Sequence, residues 1–133
     1  MFEKMHTIEL SGDTFPIKCD MVVLEQLQEI YGDLGKFEDR LLNLVTEKDD
    51  NGNDIIDKNG NKKYVSAMPD AKAVNDGLYL MVEEGLEIEG KDPVERKILL
   101  RKNDKSLFEL TDIIHKEFME CFKSKKSKTE TDQ

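Results

Sequence analysis

Apolar residues recur at intervals of three and four along most of this chain, and residues that start or stop helices punctuate the recurrence. That spacing lines one side of a helix with greasy side chains, which must be buried against something. Leu24, Leu27 and Tyr31, with Val23 and Ile30 beside them, make the first stripe; Asp20 is placed to cap it and Gly32 to stop it. Asp33 is placed to cap a short second helix carrying Phe37, Leu41, Leu42 and Leu44. Pro69-Asp70 opens a third, striped by Ala71, Val74, Leu78, Met81 and Val82 and ended by Gly85. Gly77 inside it costs about 1 kcal/mol relative to alanine and so marks the close approach of another element.

Two further helices follow. Asp92-Pro93-Val94-Glu95 reads as a capping box with proline at the first helical position; Ile98, Leu99 and Leu100 follow, and Arg101-Lys102 suits the end. Ser106-Leu107-Phe108-Glu109 is a second capping box. It opens a helix striped by Leu107, Leu110, Ile114, Phe118 and Cys121, flanked by Ile113 and Phe122.

Strand signals lie in two other places. Ile8 and Leu10 alternate, Ser11-Gly12-Asp13 turns, and Phe15 to Cys19 run extended, which predicts a hairpin with Pro16 on an edge strand. From Thr46 to Val65 the composition shifts. Asn51-Gly52-Asn53 and Asn59-Gly60-Asn61 are one tripeptide eight residues apart, and Asn-Gly is a strong tight-turn signal. We expect a small, polar, mobile β-hairpin arm over 46–65. Strands and helices are segregated, so the fold class is α+β: an N-terminal β-hairpin packed with about five α-helices, plus this arm. Residues 1–123 form a single domain, and the polar, lysine-rich segment 124–133 is expected to be disordered.

The 133 residues carry a formal net charge of -9. An acidic chain repels phosphate backbones and anionic membranes, so neither nucleic acid nor a membrane is the expected partner. The N-terminus lacks a charged n-region and an apolar h-region, which points to the cytoplasm. Cys19 and Cys121 have neither metal-ligand spacing nor a disulfide framework around them, and reduced, partly buried thiols are expected.

A reaction centre is hard to assemble from these residues. His6 sits on the first strand, and His115 lies at the edge of the last apolar stripe, neither with a second ligand one turn away. A calcium loop starting at Asp49 or Asp57 has its glycine two positions early and no glutamate at the twelfth position. The run Glu83, Glu84, Glu87 and Glu89 reads as a solvated acidic face able to attract a basic segment. We therefore expect no enzyme, no metal and no cofactor. Protein binding is the expected activity, with Met81, Glu83, Glu84, Glu87, Met119 and Phe122 as candidate partner-binding residues. Phe118 is assigned to the core, whereas Met119 and Phe122 sit further round the helix and are expected to be exposed.

Three patches carry a family resemblance: the opening hairpin with Ile8-Glu9-Leu10-Ser11-Gly12 and Phe15-Pro16-Ile17-Lys18, the helix Leu24-Glu25-Gln26-Leu27-Gln28-Glu29-Ile30-Tyr31-Gly32, and Leu78-Tyr79-Leu80-Met81-Val82-Glu83-Glu84-Gly85 followed by a linker and two helices. In this order the chain resembles tail assembly chaperones of long-tailed bacteriophages and related prophages, over roughly residues 5–123. The resemblance implies a non-enzymatic protein of the host cytoplasm that coats the helical, aggregation-prone tape measure protein and helps to recruit tail tube protein around it. It also implies a longer form made by translational frameshifting and absence from the finished particle. The Asn-Gly arm has no counterpart in the resemblance. The charge alone supports an alternative, a small acidic adaptor or inhibitor of a basic protein. Whether the chain forms homo-oligomers stays open.

Overall fold

The computed structural model describes residues 5–123. The first two strands, β1 (His6–Leu10) and β2 (Asp13–Ile17), pair antiparallel with His6 opposite Ile17 and Leu10 opposite Asp13. Ser11 and Gly12 take positive φ, as a tight two-residue hairpin turn requires. In such a hairpin the closing pair exchanges hydrogen bonds and alternate pairs do not. Pro16 opposite Thr7 falls on a non-bonded pair, so its missing N–H leaves no gap in the ladder.

Helix α1 (Met21–Tyr31) is capped by the Asp20 carboxylate, which accepts from the amides of Val22 and Val23, and stops at Gly32 with φ 90°. Asp33 caps α2 (Leu34–Leu42) by accepting from the Lys36 amide. Leu44, expected on that helix, instead begins β3 (Leu44–Thr46), because Asn43 turns left-handed with φ 45° and ends α2. Strand β4 (Tyr64–Ser66) pairs antiparallel with β3, Val45 opposite Val65. Between them the two Asn-Gly turns form, each gathered by an aspartate. Asp49 accepts from the amides of Asn51 and Asn53, and Asp57 from those of Asn59 and Asn61. Those carboxylates stabilise turns, the local use to which aspartate is suited. Three backbone hydrogen bonds close the arm: Glu47 donates to Lys63, Lys63 to Ile55, and Ile55 to Glu47.

Helix α3 (Ala71–Ile88) is the central element and packs on β2, α1, α2, α4 and α5. It starts at the Asp70 cap but runs through Gly85, ending only where Gly90 takes φ 68° and Lys91 N–H reaches back to Leu86. Helix α4 (Arg96–Arg101) begins later than the Asp92 capping box predicts, with Glu95 at the cap position and no side-chain cap bond. The Ser106 box holds, its hydroxyl accepting from the Glu109 amide at the start of α5 (Leu107–Glu120).

This is an α+β fold, with two small antiparallel hairpins and five helices among the described residues. The core gathers Ile8, Leu10 and Ile17 from the first hairpin with Val23, Leu27, Phe37, Leu41, Leu78, Val82, Leu99 and Ile114 from all five helices. Among the described residues, no helix is long and apolar enough to cross a membrane.

Candidate docking surface

The last helix carries its apolar stripe from the core to the surface. Leu110, Ile114 and Phe118 face inward and are buried. One residue beyond Phe118, Met119 is 39% exposed, and one turn beyond it Phe122 is 53% exposed. An aromatic run links the two regions. Ring centroids of Tyr31 and Phe37 are 5.3 Å apart, of Phe37 and Phe118 5.2 Å, and of Phe118 and Phe122 5.1 Å, with the last two pairs edge to face. Edge-to-face contacts of this kind hold ring orientations. Phe122 is thus an exposed ring fixed by a buried one.

Met81 does not belong to this surface. It is fully buried, and its carbonyl accepts a hydrogen bond from the Lys18 amide at 3.0 Å. Its position on the stripe of α3 makes it core, because β2 and α1 cover that face.

The acidic run on α3 also splits. Glu87 and Glu89 are exposed, as expected of a solvated face. Glu83 is half-buried and accepts from the Tyr79 hydroxyl at 2.7 Å. Glu84 is buried, correcting the expectation of a solvated side chain. A hydrogen bond with Asp20, then burial, then the charges of Asp20, Glu87 and Glu83, push its carboxyl up to about 7. The same Asp20 caps α1, so a protonated Glu84 ties α3 to the start of that helix.

A second buried carboxylate escapes any reading of spacing. Asp76, 4% exposed, accepts from Tyr31 Oη, Lys72 Nζ and Arg96 Nη2, each at 2.7 Å. Burial alone would raise its carboxyl; the hydrogen bonds from Lys72, Tyr31 and Arg96 overcome that and hold it below the usual range. Arg96 also lies over the Tyr79 ring, 5.5 Å from its centroid. The group joins α1, α3 and α4.

Both histidines meet carboxylates. His6 Nδ1 lies 2.6 Å from Glu117 Oε1, and His115 Nε2 lies 2.8 Å from Glu38 Oε2. The first pair borders a cavity of about 570 Å³ between β1 and α5, lined also by Met5, Ile17, Ile113 and Lys116. Among the described residues, no group of three or more His, Cys, Asp or Glu side chains is placed to hold a metal ion.

The arm leaves more apolar surface open. Leu44 is 54% exposed, Tyr64 60% and Ile56 51%, and Val45 and Val65 stand opposite one another, both outside the core. Side chains alternate along the strands, so Leu44 and Tyr64 stand on one face of the β3–β4 ribbon and Val45 and Val65 on the other. Compared with family models, with curated proteins and with solved structures, the chain matches none.

Proposed function

We propose that this protein is a non-enzymatic assembly factor that binds other proteins, acting as a tail assembly chaperone on the tape measure protein of a long-tailed phage and helping to recruit tail tube subunits. The observation that carries this reading is exposed Met119 on the last turn of α5 with exposed Phe122 two residues past its end, continuous with the aromatic run in the core. A partner rich in amphipathic helix needs an apolar, adaptable counter-surface, and methionine beside phenylalanine supplies one. The resemblance described above supplies the partner class.

Co-expression with a tape measure protein tests it. The wild-type chain is expected to raise the soluble fraction of that protein severalfold. A Met119→Ala/Phe122→Ala double variant is expected to lose most of the effect while keeping its fold, because both side chains are largely outside the core. No gain in solubility with the wild type, or an unimpaired double variant, would sink the reading. The acidic-adaptor alternative now rests on Glu87 and its exposed neighbours, since Glu83 and Glu84 are engaged within the fold. It predicts binding that weakens steeply with salt, whereas an apolar contact does not.

A further inference from the structure

The first hairpin is a two-stranded sheet with one edge closed and one open. Helix α3 closes the β2 edge: its Gly85 packs on the Pro16 backbone, and the Met81 carbonyl accepts from the Lys18 amide at 3.0 Å. On β1, Thr7 and Glu9 stand in the non-bonded pairs of the ladder, so their N–H and C=O groups point away from β2. Among the described residues no hydrogen bond reaches those groups, and both residues are exposed. An unpaired row of this kind is a template for another strand. Helix α5 runs antiparallel alongside β1. At one end Ser11 N–H donates to Asp104 Oδ2 at 3.0 Å, just before α5 starts; at the other His6 Nδ1 meets Glu117 Oε1. Thr7 and Lys116 line the cavity between the two elements, so Lys116 stands beside the open edge.

We propose that a second copy of this chain covers the edge, the two β1 strands pairing antiparallel about a two-fold axis at Ile8 to make one four-stranded sheet. Ile8 then faces its own equivalent, and Thr7 faces the partner's Glu9. Thr7 N–H donates to the partner's Glu9 carbonyl, and the partner's Glu9 N–H donates to the Thr7 carbonyl. Symmetry repeats both bonds, so every free backbone group of Thr7 and Glu9 is used. An axis at Glu9 would set two Glu9 carboxylates face to face, which like charge disfavours. An axis at Thr7 would put Glu9 opposite Met5, before the strand begins.

Charge selects a second copy as the occupant. Ile8 lies two residues along β1 from His6, about 7 Å, or roughly four to five residues of helix. Level with it on α5 is therefore the neighbourhood of Asp112. The axis thus passes near the midpoint between Glu109 and Lys116, which are exposed, lie seven residues apart and share one face of α5. Neither forms an ion pair among the described residues. The two-fold brings Lys116 level with the partner's Glu109, cation to anion, twice. The net charge of -9 opposes association, and these two pairs offset it where the copies meet. The proposal uses neither Met119 nor Phe122 and is independent of the assembly reading.

Sedimentation equilibrium of the purified full chain over a concentration series tests it, at about 0.15 M salt, where charges more than about 8 Å apart are screened. We expect a reversible monomer–dimer equilibrium. Thr7→Pro removes an edge N–H that the β1–β2 ladder does not use, as Pro16 already lacks one on the other strand. It should leave the chain monomeric with its circular dichroism unchanged. Lys116→Glu sets like charges against the partner's Glu109 and should raise the dimer Kd about tenfold. Adding Glu109→Lys should bring the Kd back to within about threefold of the wild type. The proposal is overturned if the wild type stays monomeric throughout, or if folded Thr7→Pro still dimerises, as a contact through Phe122 or the arm would allow. Where Thr7→Pro does not fold, the charge swap decides: a Kd unmoved by Lys116→Glu, or not restored in the double variant, overturns the proposal.

Discussion

Gly85 sits where α3 packs closely on the backbone of β2. A Cβ added there would lie 2.7 Å from the Pro16 carbonyl oxygen, 2.8 Å from its carbon and 3.0 Å from its Cβ. Backbone cannot swing aside as a long side chain can. Gly85→Ala should therefore push β2 off α3 at a cost of about 1–3 kcal/mol for overpacking, reduced by about 1 kcal/mol of helix propensity. Gly77→Ala meets side chains instead, Ile114 Cγ2 at 2.7 Å and Phe37 Cζ at 3.3 Å, and should cost less. Urea denaturation of both variants checks the order, and a Gly85→Ala protein as stable as the wild type would refute it. A glycine inside a helix announced a close approach at Gly77, and the neighbour duly arrives. At Gly85 the same residue type was read as a helix stop, because its partner, Pro16, lies on a distant strand that spacing along α3 cannot reveal.

Helices whose apolar stripes repeat over several turns were legible, and so were the caps at Asp20, Asp33, Asp70 and Ser106. The element that moved is α4. Its local capping signal at Asp92 is overruled by tertiary contacts, since Arg96 is drawn to buried Asp76 and stacks on Tyr79, and the helix starts there. Buried polar contacts of this kind join distant positions, and for the same reason Glu84 could not be told from a surface residue by periodicity alone; Met81 could, since it lies on the apolar stripe of α3 and is buried there. Glu84 gives a prediction at this scale. Its carboxyl is raised above the ordinary value, so the tie between α3 and α1 is complete below the unfolded carboxyl range, near pH 4.5, and fades as pH rises through about 7. Asp76 runs the other way: depressed by its hydrogen bonds, it stabilises above the ordinary carboxylate range and is lost as pH falls through its folded value. Tm should therefore fall as pH is raised from about 5 to about 8. Glu84→Gln, whose amide can still donate to Asp20, should flatten that slope; an equal slope in both proteins would remove Glu84 as its source.

At the scale of the molecule, the core and the arm are built by different means. The core closes on side chains from the first hairpin and all five helices. The arm closes on its own backbone and turn aspartates, with an ion pair of Lys48 and Asp54, and Lys62 Nζ 3.3 Å from the same carboxylate. Its attachment is a short seam: Ala67 N–H to Asn43, Asn43 Nδ2 to Met68, and Asp70 N–H to Arg40. Every hydrogen bond of that seam lies outside residues 47–63. Replacing 47–63 with a two-residue Asn-Gly turn joining Thr46 to Tyr64 keeps the seam, removes little buried area, and shortens the loop, which favours folding by roughly 2 kcal/mol. The shortened protein should fold with Tm within about 5 °C of the wild type. A large loss of stability would mean that the arm is part of the core. If the fold survives, the shortened protein also separates the two apolar surfaces. Solubilisation of a tape measure protein that persists without the arm and vanishes with Met119→Ala/Phe122→Ala places docking at the end of the last helix; the reverse pattern places it on the removed part of the arm, where Ile56 is exposed.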